Sequence, residues 1–296
     1  RTQQTDQQQH HNSCSLLSPT RRASIILRHV MPNAQVLLSA GRTVALRVLL
    51  GERASMPETR RRWLRQLEEV GSPSEAALAL GSEEAPNVRD LLQALWVAAV
   101  LKKDVLQQPL LVRLRAVANT LAAAGTVDAF WALGVLAWRD VEVVGALQAR
   151  ALQLVEELVP ADLACLSWGL SQCTADPDVA LLQAVAKAVV AAIAKASSIS
   201  RAPGHRLHRQ HRLCGIGTFQ AHLLHVICAF AAMQKPHRGL LRAAAGQVAG
   251  VLEELPAQDL LALEWAYTEL HADGRAADFR RVLGEAVAGR GLKVVR

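Results

Sequence analysis

Aromatic residues are scarce in this 296-residue chain: they make up 4% of it, with a single Tyr and four Phe. Hydrophobic residues nevertheless reach 51%, and Ala, Leu and Val supply most of them. Unbranched aliphatic side chains lose little rotamer freedom in a helix, whereas strands favour aromatic and β-branched residues. The composition therefore predicts an all-α protein and argues against a sheet.

Paired cysteines are also missing. The five Cys contain no CxxC pair and are odd in number, which argues against a disulfide-stapled secreted domain and favours buried thiols in a reducing compartment. Long apolar runs are missing too, because Gln183, Lys187 and Lys195 interrupt the best stretch, residues 180–196. We therefore expect no membrane partner.

Catalytic motifs are absent as well. The sequence has no GxGxxG, Walker-type phosphate loop, HExxH or GxSxG pattern. We expect no enzyme activity, no catalytic residues, no cofactor and no small-molecule substrate.

Acidic residues are missing from residues 21–51, which instead carry five Arg with several Ser and Thr. The preceding residues 1–20 are rich in Gln, His and Ser, a composition typical of disorder. Basic, hydroxylated and acid-free segments are typical of organellar transit peptides. We interpret residues 1–51 as a disordered, transit-peptide-like segment, which predicts a mitochondrial or plastid location. The alternative is an ordinary basic first helix of the fold.

An internal repeat is the strongest positive signal. Residues 155–168 (VEELVPADLACLSW) match residues 252–265 (LEELPAQDLLALEW) in their acids, Pro, Asp, Leu and Trp. Pro160 and Pro256 cannot continue a helix, and Asp162 and Asp259 can satisfy free amides at the start of the next one. The pattern predicts a helix end, a turn and a new helix with a tryptophan late in it.

Four tryptophans and one histidine extend this pattern along the chain. Residues Trp96, Trp131, Trp168, His225 and Trp265 are 35, 37, 57 and 40 residues apart, and each precedes a small and then an apolar residue. The spacing predicts a right-handed α-solenoid of about five to six degenerate two-helix repeats, 35–40 residues each, within residues 52–296. The repeats are predicted at 87–125, 126–160, 161–197, 218–256 and 257–291, with an insertion at 198–217. We expect the tryptophans to pack in the core.

One earlier copy is predicted upstream. Residues 57–70 are interpreted as its second helix, with Pro57 and Glu58 in the first turn, and residues 72–87 as a loop-rich spacer.

The insertion has unusual side-chain chemistry. It carries Arg and His and no acid in the run RAPGHRLHRQHRLC, and His205, His208, His211 and Cys214 recur every third residue. Successive ligands at that spacing rotate around a helix and cannot meet at one zinc ion, so we predict no metal site. Two interpretations of the insertion remain: a basic loop that contacts phosphate, or a loop with no binding role.

The predicted second helices carry cations at similar distances from their anchors. The chain has 33 basic and 26 acidic residues, a formal charge of +7. A ladder of cations suits a phosphate backbone, whereas the alternative is an ordinary solvated helix face. The predicted RNA-binding residues are Arg115, Arg150, Lys187, Arg206, Arg209, Arg212, Arg242 and Arg281.

The Trp-centred repeat resembles a known family type. The sequences Leu166-Ser-Trp168-Gly-Leu170, Ala129-Phe-Trp131-Ala-Leu133 and Leu263-Glu-Trp265-Ala-Tyr267 are similar to octotricopeptide-type repeats, found among RAP-domain and FAST-kinase-like organellar proteins. The resemblance covers residues 87–291 and implies an organellar RNA-binding protein, acting in RNA processing, stability, translation or ribosome assembly. Its expected partners are single-stranded or ribosomal RNA and other organellar RNA-metabolism proteins. The alternative is a non-catalytic α-solenoid scaffold for a protein partner.

Overall fold

The computed structural model describes residues 58–81, 88–200, 216–271 and 274–292. All regular elements in these ranges are helical, which confirms the all-α prediction. The α-helices are α1 (Glu58–Glu69), α2 (Pro73–Gly81), α3 (Val88–Leu101), α4 (Gln107–Val117), α5 (Ala123–Leu136), α6 (Val141–Leu154), α7 (Pro160–Cys173), α8 (Val179–Ser200), α9 (Ile216–Ala232), α10 (Arg238–Val248), α11 (Ala257–Glu269) and α12 (Arg275–Gly289). Short 3₁₀ turns precede α4 and follow α4, α6 and α10.

Side chains and prolines define where several helices begin. Asp140 accepts a hydrogen bond from the amide of Val143 at 2.9 Å and so caps α6. Pro160 begins α7, and the Asp162 carboxylate accepts a bond from the Val159 amide, as expected from the repeat. The acid and proline pattern of the sequence therefore marks the start of α7 correctly.

The helices alternate between two layers. Each odd-numbered helix packs against the next odd-numbered helix, and each even-numbered helix against the next even-numbered one. Each odd helix also packs against the even helix that follows it. We call α1, α3, α5, α7, α9 and α11 the odd layer, and α2, α4, α6, α8, α10 and α12 the even layer.

Four turns from an odd to an even helix share a left-handed residue. Lys102, Ala137, Gln234 and His271 have φ between 46° and 55°, each just after an odd helix. In three of these turns the left-handed residue lies six positions after Trp96, Trp131 or Trp265. The tryptophan is thus fixed relative to the helix end by the geometry of the turn.

In α9 the same geometry corrects the assignment of His225 as the fourth anchor. Six positions before the left-handed Gln234 lies Cys228, not His225. The amide of Lys235 bonds to the Phe230 carbonyl, just as Trp138 bonds to Leu133, and this match also places Cys228 level with Trp131. The buried Cys228 therefore occupies the anchor position, and His225 lies about one helical turn before it.

The start of the described chain corrects a second prediction. The segment expected to be a second helix is α1, which packs against α3 and so belongs to the odd layer. The expected spacer 72–87 contains α2, which packs against α4. Ser72 accepts a bond from the Glu75 amide, and Glu75 accepts one from Gly71, so a capping pair begins α2 where the sequence analysis placed a loop.

The tryptophans pack as predicted. Trp131 and Trp265 are buried in the core, and Trp96 and Trp168 are partly buried against it. The rings of Trp96 and Trp131 stack across α3 and α5, with centroids 4.1 Å apart. The single Tyr, Tyr267 of α11, donates a hydrogen bond to the Leu241 carbonyl of α10 at 2.9 Å and so links the two layers.

The longest helix in the described chain, α8, is also strongly apolar. Residues Val179–Ser197 reach a mean hydropathy of 1.8, and a third of the stretch is buried in the fold. By length and composition alone this stretch could cross a membrane, although core helices of globular proteins meet the same criterion.

Candidate nucleic-acid interface

The predicted cations of the second helices all lie in the even layer. Arg115 is on α4, Arg150 on α6, Lys187 on α8, Arg242 on α10 and Arg281 on α12. Their directions differ, however, because Arg115 and Arg150 point to neighbouring elements, whereas the other three point away from the core. The structure therefore does not bring all five to one face.

Two of the five cations, Arg115 and Arg150, bridge neighbouring elements of the same chain. Arg115 lies 3.1 Å from an Asp140 oxygen and 2.6 Å from a Glu142 oxygen, at the start of α6. Arg150 donates to the Leu121 carbonyl at 2.7 Å and to the Gln153 side chain at 2.8 Å. Both guanidinium groups are occupied: Arg115 links α4 to the start of α6, and Arg150 links α6 to Leu121 in the segment that precedes α5.

The other three cations point away from the core. Lys187 lies two residues from both Val185 and Val189, and Arg242 lies two residues from both Leu240 and Ala244; all four apolar neighbours are buried. Two residues correspond to about 200° around a helix, so each of these cations faces away from the apolar stripe. Arg281 of α12 occupies the equivalent place between Phe279 and Leu283. We call Lys187, Arg242 and Arg281 the cationic face.

The ion pairs of the cationic face are few. Arg281 pairs with Glu285 at 2.7 Å, but both side chains are more than 60% exposed, so water screens the pair. Within the described residues, Lys187 and Arg242 make no ion pair. These two side chains are available to an external anion.

The remaining predicted RNA-binding residues, Arg206, Arg209 and Arg212, lie outside the described residues. The histidines of the same insertion and Cys214 lie outside them too. Within the described chain no group of three or more His, Cys, Asp or Glu side chains is placed to hold a metal ion.

Charge is divided between the two layers. Among side chains that the structure describes, helices α4, α6, α8, α10 and α12 carry nine basic and three acidic residues. Helices α3, α5, α7, α9 and α11 carry one basic residue, Arg89, and six acidic residues. The acidic residues of these odd helices are Asp90, Asp128, Asp162, Asp259, Glu264 and Glu269. Among the described side chains, α1 of the odd layer adds Arg62, Arg65 and Glu69, and α2 of the even layer adds Glu75, so the even layer stays basic and the odd layer stays acidic. The even layer therefore favours a polyanion more than the odd layer does.

A polar group that the sequence analysis missed lies in the odd layer. Asp128 of α5 accepts a hydrogen bond from the Trp96 side chain of α3. Burial and the nearby carboxylate of Asp162 raise the pKa of Asp128 to about 6. Asp162 also acts electrostatically on His222 of α9, so four consecutive odd helices contribute to one connected group. No motif marks this group, because its members are 32 or more residues apart and only helix packing brings them together.

Two side chains near this group, those of His225 and Cys165, are uncharged at neutral pH. Burial lowers the pKa of His225 to about 4, although the ring also bonds to the Ala221 backbone. Burial, together with Asp128 and Asp162, raises the pKa of the Cys165 thiol to about 12. A thiol held protonated in this way is a weak nucleophile.

No protein-family model matches the chain, and no curated protein matches it either.

Proposed function

We propose that the chain is an RNA-binding α-solenoid of degenerate two-helix repeats, and that RNA contacts it through the cationic face. The observation that carries the proposal is the excess of basic residues on the even layer, with Lys187 and Arg242 exposed and without an ion pair among the described residues. Neutralisation of phosphates by such cations releases counterions and drives association. The resemblance of the Trp-marked repeats to octotricopeptide-type repeats agrees with this function.

The repeat architecture rests on the two-layer packing. The alternation of odd and even helices, and the recurrence of a left-handed residue after odd helices, are what a stack of helix pairs requires. From α3 onward, consecutive odd helices contact each other more extensively than consecutive even helices do. Because the odd helices contact each other more extensively, we propose that the stack curves toward its odd layer, which is then the concave side. The cationic face lies on the convex side, and we place the RNA there.

The binding mode follows from the side chains present. Lys187, Arg242 and Arg281 come from three successive even helices. The axes of neighbouring packed helices are about 8–10 Å apart. They offer point charges to a phosphate backbone, which position an RNA but do not read its bases. We therefore propose that the protein binds RNA with little sequence preference, in a mitochondrion or plastid.

Binding of single-stranded and of helical RNA across a salt series tests this function. The logarithm of the affinity should fall linearly with the logarithm of salt concentration. The Lys187→Ala and Arg242→Ala variants should each make the slope shallower by about one unit. The matched control is Arg115→Ala, which removes a cation of equal charge from the same layer but one already paired with acids. RNA binding that is absent, or equally affected by all three substitutions, would refute the proposal.

A second candidate function is a scaffold for a protein partner. The odd-layer residues Trp96, Trp168 and Leu261 are only partly buried, and each lies on a helix that also carries at least one acid. Protein-binding surfaces combine aromatic and aliphatic groups with a polar rim. If the chain bound a protein ligand but bound no RNA, the scaffold function would be favoured.

A further inference from the structure

Helices α8 and α10 are neighbours in the even layer, and neither carries an acid. They pack against each other, and each has two basic residues. The four are Lys187, Lys195, Arg238 and Arg242. A polyanion that lies across these two helices therefore meets positive charge without a carboxylate on either of them.

Two contacts fix how α8 and α10 lie beside each other. Lys235, just before α10, pairs with Asp176, just before α8, at 3.4 Å. The hydroxyl group of Ser197, late in α8, donates to the Gln247 side chain, late in α10, also at 3.4 Å. The first contact joins the two helix starts and the second joins parts near the two helix ends, so α8 and α10 run in the same direction.

The cationic face is consequently a row of charges across neighbouring helices. Lys187 and Arg242 each lie near the middle between the two contacts, so they stand side by side on helices whose axes are about 8–10 Å apart. Arg281 continues the row on α12, where Glu285 pairs with it. The surface in the row is open, because Gly246, one turn after Arg242, is exposed and a Cβ there would meet no atom within 4 Å.

The aromatic side chains lie elsewhere. The chain has six Trp, four Phe and one Tyr, all within the described residues, and only Trp138 and Phe279 of these lie outside the odd helices. Both are buried, with 3% and 6% of their surface exposed. Proteins hold single-stranded nucleic acid by stacking its bases on aromatic rings, in addition to binding its phosphates. The cationic face has no such ring, so a single strand would gain only phosphate contacts there.

We propose that the RNA bound by the cationic face is base-paired. This inference rests on the proposed function and specifies the form of the RNA. A duplex presents phosphates densely on its outside, about one charge per 1.7 Å of axis in double-stranded DNA, and its conformation is already ordered. A single strand must lose conformational freedom on binding, and no stacking offsets that cost here. Double-stranded RNA is recognised through its shape and its backbone, which a row of point charges can contact.

Fluorescence anisotropy with the full chain tests the proposal. It compares a labelled RNA duplex of about 16 base pairs with a labelled, non-pairing single strand that has the same number of phosphates. At equal salt the duplex should bind about tenfold more tightly than the single strand. Lys187→Ala and Arg242→Ala should each weaken duplex binding.

An added aromatic ring tests the reason for this preference. Gly246→Tyr should raise the affinity for the single strand about fivefold or more and change that for the duplex less than about twofold. The matched control is Gly145→Tyr on α6, also exposed and with no atom within 4 Å of a Cβ, which should change neither affinity. Circular dichroism should show that both variants are folded.

Two results would overturn the proposal: a parent that binds the single strand as tightly as the duplex, or a Gly246→Tyr variant with an unchanged preference. If the parent binds both RNAs equally and Lys187→Ala weakens both, the proposed function stands and only the duplex preference is refuted. If the folded parent binds neither RNA, the proposed function and this inference are both refuted.

Discussion

Gly169 of α7 lies directly against the backbone of Phe130 in α5: a Cβ built on Gly169 would be 2.7 Å from the Phe130 carbonyl oxygen. Gly134 of α5 lies equally close to α7, where a Cβ would be 2.8 Å from the Trp168 ring. The two helices therefore touch backbone to backbone at residue 169. Helices α5 and α7 depend on Gly169 for this approach, because the atoms nearest to its Cβ belong to the backbone of Phe130 and not to a flexible side chain.

Gly169→Ala should destabilise the protein by about 1–3 kcal/mol, since α7 must move away from α5 to admit the methyl group. Chemical denaturation measures the change in the free energy of unfolding. The matched control is Gly246→Ala in α10, where a Cβ meets no atom within 4 Å. That variant should gain up to about 1 kcal/mol, because alanine favours helix over glycine. Destabilisation of both variants alike would contradict close packing as the cause.

Asp128→Asn should make the protein more stable above pH 6. The pKa of Asp128 is raised to about 6 from its ordinary value of 3.8, so the folded state takes up a proton more readily than the unfolded state. Its contribution to stability is therefore complete below pH 4 and is lost as the pH rises through 6. At pH 8 the variant should exceed the parent by roughly 1–3 kcal/mol, and at pH 4 the difference should be smaller. A difference that is the same at both pH values would contradict this.

His225→Gln should have the opposite dependence on pH. The pKa of His225 is lowered to about 4 from 6.5, so the neutral ring stabilises the fold above pH 6.5 and this contribution is lost as the pH falls toward 4. Between pH 7.5 and pH 4.5 the free energy of unfolding should fall by roughly 1–3 kcal/mol more for the parent than for the variant, whatever the difference between them at pH 7.5. Thermal unfolding at the two pH values measures this, and parallel changes in parent and variant would argue against a buried neutral ring.

Asp140→Ala should cost about 1–2 kcal/mol, because Asp140 caps α6 and also pairs with Arg115. Asp140→Asn keeps an acceptor for the Val143 amide and should recover much of that loss. Arg115→Ala should cost less than about 1 kcal/mol, since the arginine side chain is 47% exposed. An Arg115 effect larger than that of Asp140 would mean that the ion pair, rather than the cap, holds this helix end.

The sequence predicted the helices that carry a tryptophan, together with the Pro and Asp that begin α7, because each of these residues marks a position in a helix. It misplaced the anchor of α9, since residues 223–224 and 226–233 are buried all round the helix and no periodicity reveals the register there. The left-handed turn at Gln234 settles the register, and a backbone angle is not visible in the residue type. The capping pair of α2, Ser72 with Glu75, is visible in the sequence, but the interpretation of residues 72–87 as a spacer did not take it into account.

The candidate site was predictable only in part. The sequence indicated that the second helices carry cations, but the count of residues from each anchor did not give their direction around the helix. Arg115 and Arg150 stand at the side of their helices and bond to the neighbouring element, whereas Lys187 and Arg242 stand opposite the buried stripe. The group formed by Trp96, Asp128, Asp162 and His222 depends on the packing of four helices, and no local sequence pattern predicts that packing.

Ultraviolet cross-linking of the full chain to labelled RNA, followed by identification of the linked peptides, shows directly which layer contacts RNA. We expect cross-links in α8, α10 and α12 around Lys187, Arg242 and Arg281, which weaken when Lys187 and Arg242 are both changed to alanine. Cross-links concentrated on the odd layer, around Trp96, Trp168 or Asp128, and unchanged in that double variant, would contradict it.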